Sequence, residues 1–192
     1  PEGVTTIASE AFSGCSSLTN VVIPGSVFEI GESAFSSCIN LDNIVIPEGV
    51  TLIADSTFFG CRMLRSVTIP ESIIEIEDGS FYNCASLTSV TIPDGVLYLG
   101  ESAFFGCSSL TEAAIGKSVT SIHYQTFYGC DNLESIEIPD GVTEIGFSAF
   151  QYCSSLRSVV IPENVTEIEE WAFQGCTNLF EVYFRGDAPN IS

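Results

Sequence analysis

Eight cysteines, one histidine and 25 Asp and Glu side chains are the groups with which this chain of 192 residues could do chemistry. The cysteines are Cys15, Cys38, Cys61, Cys84, Cys107, Cys130, Cys153 and Cys176, each 23 residues from the last. Nucleophilic catalysis needs a thiol or hydroxyl beside an activating base. The lone imidazole, His123, would have to be that base. Its place in the 23-residue period is held elsewhere by Ala8, Gly31, Ala54, Glu77, Gly100, Gly146 and Glu169, so it reads as surface variation. Carboxylates are plentiful but repeated, with no unique pair set apart for acid–base work. The chain has no C-x-x-C pair, no H-E-x-x-H and no phosphate-cradling glycine loop. No catalytic residue, no cofactor and no metal ligand is expected, and the chain does not read as an enzyme.

The period extends well beyond the thiols. Phenylalanine recurs from Phe12 to Phe173, leucine from Leu18 to Leu179, and proline from Pro1 to Pro162 with Gly116 as the single exception, all at intervals of 23. Eight units starting at 1, 24, 47, 70, 93, 116, 139 and 162 fill residues 1–184. Residues 185–192 keep phase, since Ile191 lies 23 after Ile168, and are expected to open a divergent ninth repeat or to form a C-terminal cap. A solenoid needs capped ends. The N-terminus opens at a repeat boundary without a polar cap, so the chain is expected to be a segment of a longer array.

Within a unit, Leu18, Val21 and Ile23 form L-x-x-V-x-I, which puts Val21 and Ile23 on one face of an extended segment. Copies stacked about 4.8 Å apart would build a parallel sheet. The proline that follows cannot donate to the ladder and ends the strand. Val4 to Ile7 reads as a second short extended segment. The stretch from Ala11 to Ser17 must turn the chain back, and the i, i+1, i+4 spacing of Ala11, Phe12 and Cys15 suits a helical or 3₁₀ turn. Phe12 and its copies would form an aromatic spine. Stacked cysteines lie on parallel Cα–Cβ vectors about 4.8 Å apart, whereas a disulfide wants about 3.5–4.5 Å and a twisted dihedral. A ladder of buried free thiols is the expected outcome, with each thiol behaving as a small hydrophobe.

The repeated I-P-x-x-V-x-x-I-G-x-x-A-F-x-G-C-x-x-L, as it stands in residues 138–156, resembles the 23-residue leucine-rich repeat of the BspA-like surface antigens. The resemblance covers the whole chain. It implies an α/β-type repeat solenoid: a right-handed array of eight coils with a parallel sheet on the concave side and short strands and turns on the convex side. It also implies an exported protein, extracellular or on the cell surface, of the kind regarded as adhesins for matrix or plasma proteins. A spacer holding another domain away from the envelope is the alternative.

Five Lys and Arg against 25 Asp and Glu leave a net charge of −20, which argues against nucleic acid and against anionic membranes. The longest apolar runs are short, so membrane insertion is not expected either. The expected partner is a protein, and the segment itself is expected to be a monomer. Invariant positions hold the coils together, so recognition should fall on irregular outer columns. The outward column of the main sheet (Val22, Val45, Thr68, Thr91, Ala114, Glu137, Val160, Tyr183) is the first candidate. With its flank it gives a binding surface of Glu112, Glu137, Ser158, Val160, Glu181 and Tyr183. An aromatic stripe, Phe59, Tyr82, Phe105 and Tyr128, is the second, able to hold a side chain or a sugar face. Two acidic columns, one following the prolines and one at Glu32, Asp55, Asp78 and Glu101, read as a solvated face, as a docking strip for a basic partner, or as calcium-binding rungs that stiffen the array. An apolar scatter at Phe28, Leu52, Ile74, Leu97 and Tyr98 could form a patch. Point motifs are an Arg185-Gly186-Asp187 tripeptide and the sequons at Asn164 and Asn190.

Overall fold

The computed structural model describes residues 3–186 and the backbone of 190–191. The chain winds in coils, and every strand pairs in parallel with its copy 23 residues away, as in Ile136 opposite Val159. Two strands arise per coil. The longer ones, from Asn43–Val45 to Glu181–Phe184, form the main sheet. The shorter ones, from Thr6–Ile7 to Asn190–Ile191, form a second ladder beside it. Between the two, the proline carbonyl closes a turn on the amide three residues on, as in Val50 N–H to Pro47 at 3.0 Å.

Alternation along the main strand decides what lies inside. Ile44, Val90, Ala113 and Val159 are buried, while Val22 and Val45 on the outer face are 83% and 60% exposed. The phenylalanine spine runs through the core, with ring centroids 5.2–5.8 Å apart and planes within 16° of parallel from Phe12 to Phe173.

The α/β label and the helical reading of the turn are corrected. Among the described residues there is no helix. The A-F-x-G-C stretch holds two residues per coil in the left-handed region, four apart, such as Ser56 and Gly60 at φ 54° and 69°. That conformation breaks a helix, and the gain is a second ladder. The amides of Thr57, Phe59 and Cys61 bond three residues back within their coil, to Ala54, Ser56 and Phe58. The intervening amides of Ser56, Phe58 and Gly60 bond the carbonyls of Asp78, Ser80 and Tyr82 in the next coil at 2.7–2.9 Å. A helix would keep all of these donors for itself.

The ladders are not continuous. The main sheet divides between Ser66–Thr68 and Ser89–Thr91, and the short-strand ladder divides twice, between Glu29–Ile30 and Leu52–Ile53 and between Tyr98–Leu99 and Ser121–Ile122. At the seam beside Ser121–Ile122, Ser121 Oγ is buried without a partner.

Candidate binding surfaces

Outward positions of the main sheet are set by strand alternation, and the strand pairing brings the first candidate set together. Glu112 lies opposite Ser135, and Ser135 opposite Ser158. Ser158 in turn faces Glu181, Glu137 faces Val160, and Val160 faces Tyr183. All six residues therefore occupy four adjacent strands. Val160 and Ser158 are half-buried and the other four are exposed. A hydrogen bond with Glu181 raises the Tyr183 hydroxyl above its ordinary pKa. Beside Glu137 a shallow depression of about 490 Å³ is lined by Asp94, Lys117, Pro139 and Asp140.

The aromatic stripe is a closed stack. Phe59, Tyr82, Phe105 and Tyr128 have centroids 4.4–4.7 Å apart and planes within 7° of parallel. Their faces cover one another and their edges are left to a partner, a geometry that does not offer the flat ring a sugar stacks on. Tyr152 closes the series edge-on, 5.4 Å from Tyr128 at 84°.

A second aromatic run escaped the sequence reading. Tyr124 stacks on Phe147 at 5.7 Å, and Phe147 meets Trp171 at 5.0 Å. Tyr124 and Phe147 occupy the column that carries Glu32, Asp55, Asp78 and Glu101 in earlier coils. Aligning the units shows the change of chemistry along that column. Trp171, one place further on, breaks the register and hides the continuation.

All eight cysteines are free. Seven donate Sγ–H to the carbonyl of the phenylalanine 26 residues earlier, at 3.1–3.3 Å, as Cys84 does to Phe58. Burial pushes Cys61 and Cys107 up to about 12 and Cys176 to about 11, against 9.0 for an ordinary thiol. Cys15 alone is exposed. Iodoacetamide at pH 8 is therefore expected to modify Cys15 in the native protein and the remaining seven only in denaturant, as read by mass spectrometry. These raised values also set a pH dependence. The folded state keeps protons that the unfolded chain releases above pH 9.0, so this stability is whole below pH 9 and is lost as pH climbs toward about 12. A denaturation midpoint that does not fall over that range would contradict it.

Basic residues tie coil to coil. Arg65 pairs with Asp42 at 3.4 Å, Arg157 with Glu134 at 3.8 Å, Lys117 with Asp94, and Arg185 with Asp140 at 2.8 Å. In the acidic columns, Asp78 Oδ1 accepts from the Tyr98 hydroxyl at 3.0 Å and the Glu101 amide at 2.8 Å, and Glu77 Oε2 accepts from the Asp55 amide at 2.9 Å. Among the described residues no three His, Cys, Asp or Glu side chains come together as metal ligands would.

The remaining motifs are scattered. His123 tilts against Tyr98 at 5.2 Å. The apolar scatter falls in two neighbouring columns, with Phe28, Ile74 and Leu97 exposed and Leu52 and Tyr98 half-buried. Asn164 Nδ2 donates to the carbonyl of Asp140 at 2.7 Å. Asp187 and the side chain of Asn190 lie outside the described residues.

A family model described as the BspA type leucine rich repeat region matches residues 1–111 and 74–192 in six copies. Among solved structures, a leucine-rich repeat protein from Bacteroides ovatus ATCC 8483 is 27% identical, with a TM-score of 0.72 over 98% of this chain and 66% of that one. A leucine rich cell surface protein from Faecalibacterium prausnitzii A2-165 is 28% identical, with a TM-score of 0.53 over 96% of this chain and 70% of that one. The leucine rich repeat protein of T. pallidum is 27% identical, with a TM-score of 0.62 over 96% and 75%. The chain thus spans about two thirds of the first of these. No curated protein matches the sequence.

Proposed function

The chain belongs to the family of BspA-type leucine-rich repeats, and from that premise we propose that it is a non-catalytic binding module of a cell-surface protein. It holds a protein of the matrix, of plasma or of a neighbouring cell on the outer face of its main sheet. The observation that carries this reading is the division of labour along the inner strands. Repeated residues such as Ile44 and Val90 are buried and the variable ones, Glu137 among them, face out, while the last strand, Glu181–Phe184, is exposed on both sides. In repeat solenoids the concave face is the usual binding face, and the family resemblance implies that the main sheet lies there. A relative described as a cell surface protein supports the location.

The test is a panel of matrix, plasma and cell-surface proteins probed with the chain. Binding to a partner is expected to weaken at least tenfold in the double variant Glu181→Gln, Tyr183→Ala. Undiminished binding by that variant would remove this face from the reading.

The spacer reading has its own support in the ion pairs, which join one coil to another along the exposed surface. A panel that yields no partner at all would favour it.

A further inference from the structure

On the turn side, two columns that look independent in sequence line one groove. Asp55, Asp78 and Glu101 share a depression of about 230 Å³ with Phe59, the first ring of the closed stack, and Tyr124 stands at its far end. Ser56, Gly79 and Ser102 run between the columns and leave the channel open. An adjoining depression places Glu77 and Tyr98 behind the same acids.

The charge of this side has one sign. Residues 8–14 and their seven copies carry eight carboxylates and neither lysine nor arginine, with His123 the one basic group. The cations that pair between coils, Arg65, Lys117, Arg157 and Arg185, all lie outside this turn segment. One of the groove's carboxylates is held by ordered donors, Asp78 by the Tyr98 hydroxyl and the Glu101 amide, and Glu77 in the adjoining depression is held by the Asp55 amide. Side chains already ordered lose little freedom when a partner arrives. The ring edges leave the aliphatic stems of Arg and Lys an apolar flank to lie on while the charged heads reach the carboxylates.

We propose that this groove docks an extended, arginine- or lysine-rich polypeptide segment, with its basic side chains on Asp55, Asp78 and Glu101 and its stems against Phe59 at one end and Tyr124 at the other. Four coils spaced about 4.8 Å apart give a run of about 14 Å, the length of four or five extended residues. This surface is separate from the main-sheet face, and the proposal does not depend on that assignment.

The experiment measures fluorescence anisotropy of labelled (Arg-Gly)4 and (Glu-Gly)4 on the full chain at low and physiological salt. Wild type is expected to bind the basic peptide, more weakly as salt rises, and to leave the acidic one free. The triple variant Asp55→Asn, Asp78→Asn, Glu101→Gln is expected to bind it at least tenfold more weakly. A charge-matched control, Glu48→Gln, Glu71→Gln, Glu163→Gln, should change binding less than twofold. Circular dichroism melts verify that both variants fold. Phe59→Ser with Tyr124→Ser, which leaves the charge untouched, should weaken binding at least threefold. Equal losses in the two charge variants would reduce the effect to attraction by net charge and overturn the proposal, as would no binding by wild type. Self-association abolished by the groove variant would assign the groove to a second copy and overturn it too. The Glu181→Gln, Tyr183→Ala variant should bind the basic peptide as wild type does, which separates this test from that of the main sheet.

Discussion

Phe104→Ala is expected to lower stability by about 3–5 kcal/mol, the range for emptying a fully buried phenylalanine site. Phe104 is completely buried and stacks on Phe81 at 5.2 Å and Phe127 at 5.5 Å. Its backbone is engaged as well: the amide donates to Thr126 of the next coil, and the carbonyl accepts the Cys130 thiol at 3.3 Å. The coils above and below are both held at this point, and no third layer can collapse into the void. In a stack where each unit touches only its neighbours, one such defect weakens two interfaces at once. Urea denaturation should show the loss as a lower midpoint. Phe12→Ala is the internal comparison: its ring is 39% exposed and meets a phenylalanine on one side only, so the loss should be less than half as large. Equal losses at the two sites would refute the spine as the main apolar support.

Restoring the repeat at its one irregular proline position is expected to harm the protein. Pro occupies that place in every other unit and Gly116 in the sixth, so alignment of the units recommends Gly116→Pro as a stabilising change. In the structure a Cβ at this position would lie 2.0 Å from the carbonyl oxygen of Pro93 and 2.6 Å from its carbon. Both are backbone atoms and cannot swing aside. Gly116→Ala and Gly116→Pro should each cost about 1–3 kcal/mol, as overpacking does, or several degrees of melting temperature at about 2–4 °C per kcal/mol for a chain of this size. The close approach sits at the seam where the short-strand ladder is interrupted between Tyr98–Leu99 and Ser121–Ile122. A rise in melting temperature for either variant would mean that the coils can separate here at no cost.

Gly116 also marks where reading the sequence stops working. A period of 23 identifies the coil, the strand alternation around Ile44, the phenylalanine spine and the two ladders, because each depends on a side chain's place within one unit. The turn was misread for a definite reason. Ala11, Phe12 and Cys15 have the same spacing in a helix and in a run of tight turns. The residues that decide between them are the left-handed ones. At one of the two columns these are Glu10, Ser33, Ser56, Gly79, Ser102, Gln125, Ser148 and Trp171, of which only one is glycine, the usual sign of that conformation. Surface columns were legible one at a time. What lies between columns was not, since the neighbourhood of Asp78 with Phe59 and Tyr98 depends on how far each turn projects. The self-covering of the aromatic stripe, likewise, follows from ring orientation, which spacing does not carry.

The alternating amides of the turn side have a mechanical consequence. Ser56, Phe58 and Gly60 each grip the following coil, while the Cys84 thiol reaches back to Phe58. Adjacent coils are thus clasped on the turn side as well as through the sheet, and the clasps repeat in series down the stack. Tension applied to the two ends would load every clasp equally, and the weakest would open first without unloading the rest. An optical trap should record a staircase of small ruptures, each releasing about 23 residues or about 80 Å of chain, with the early steps at the seams where a ladder is already interrupted.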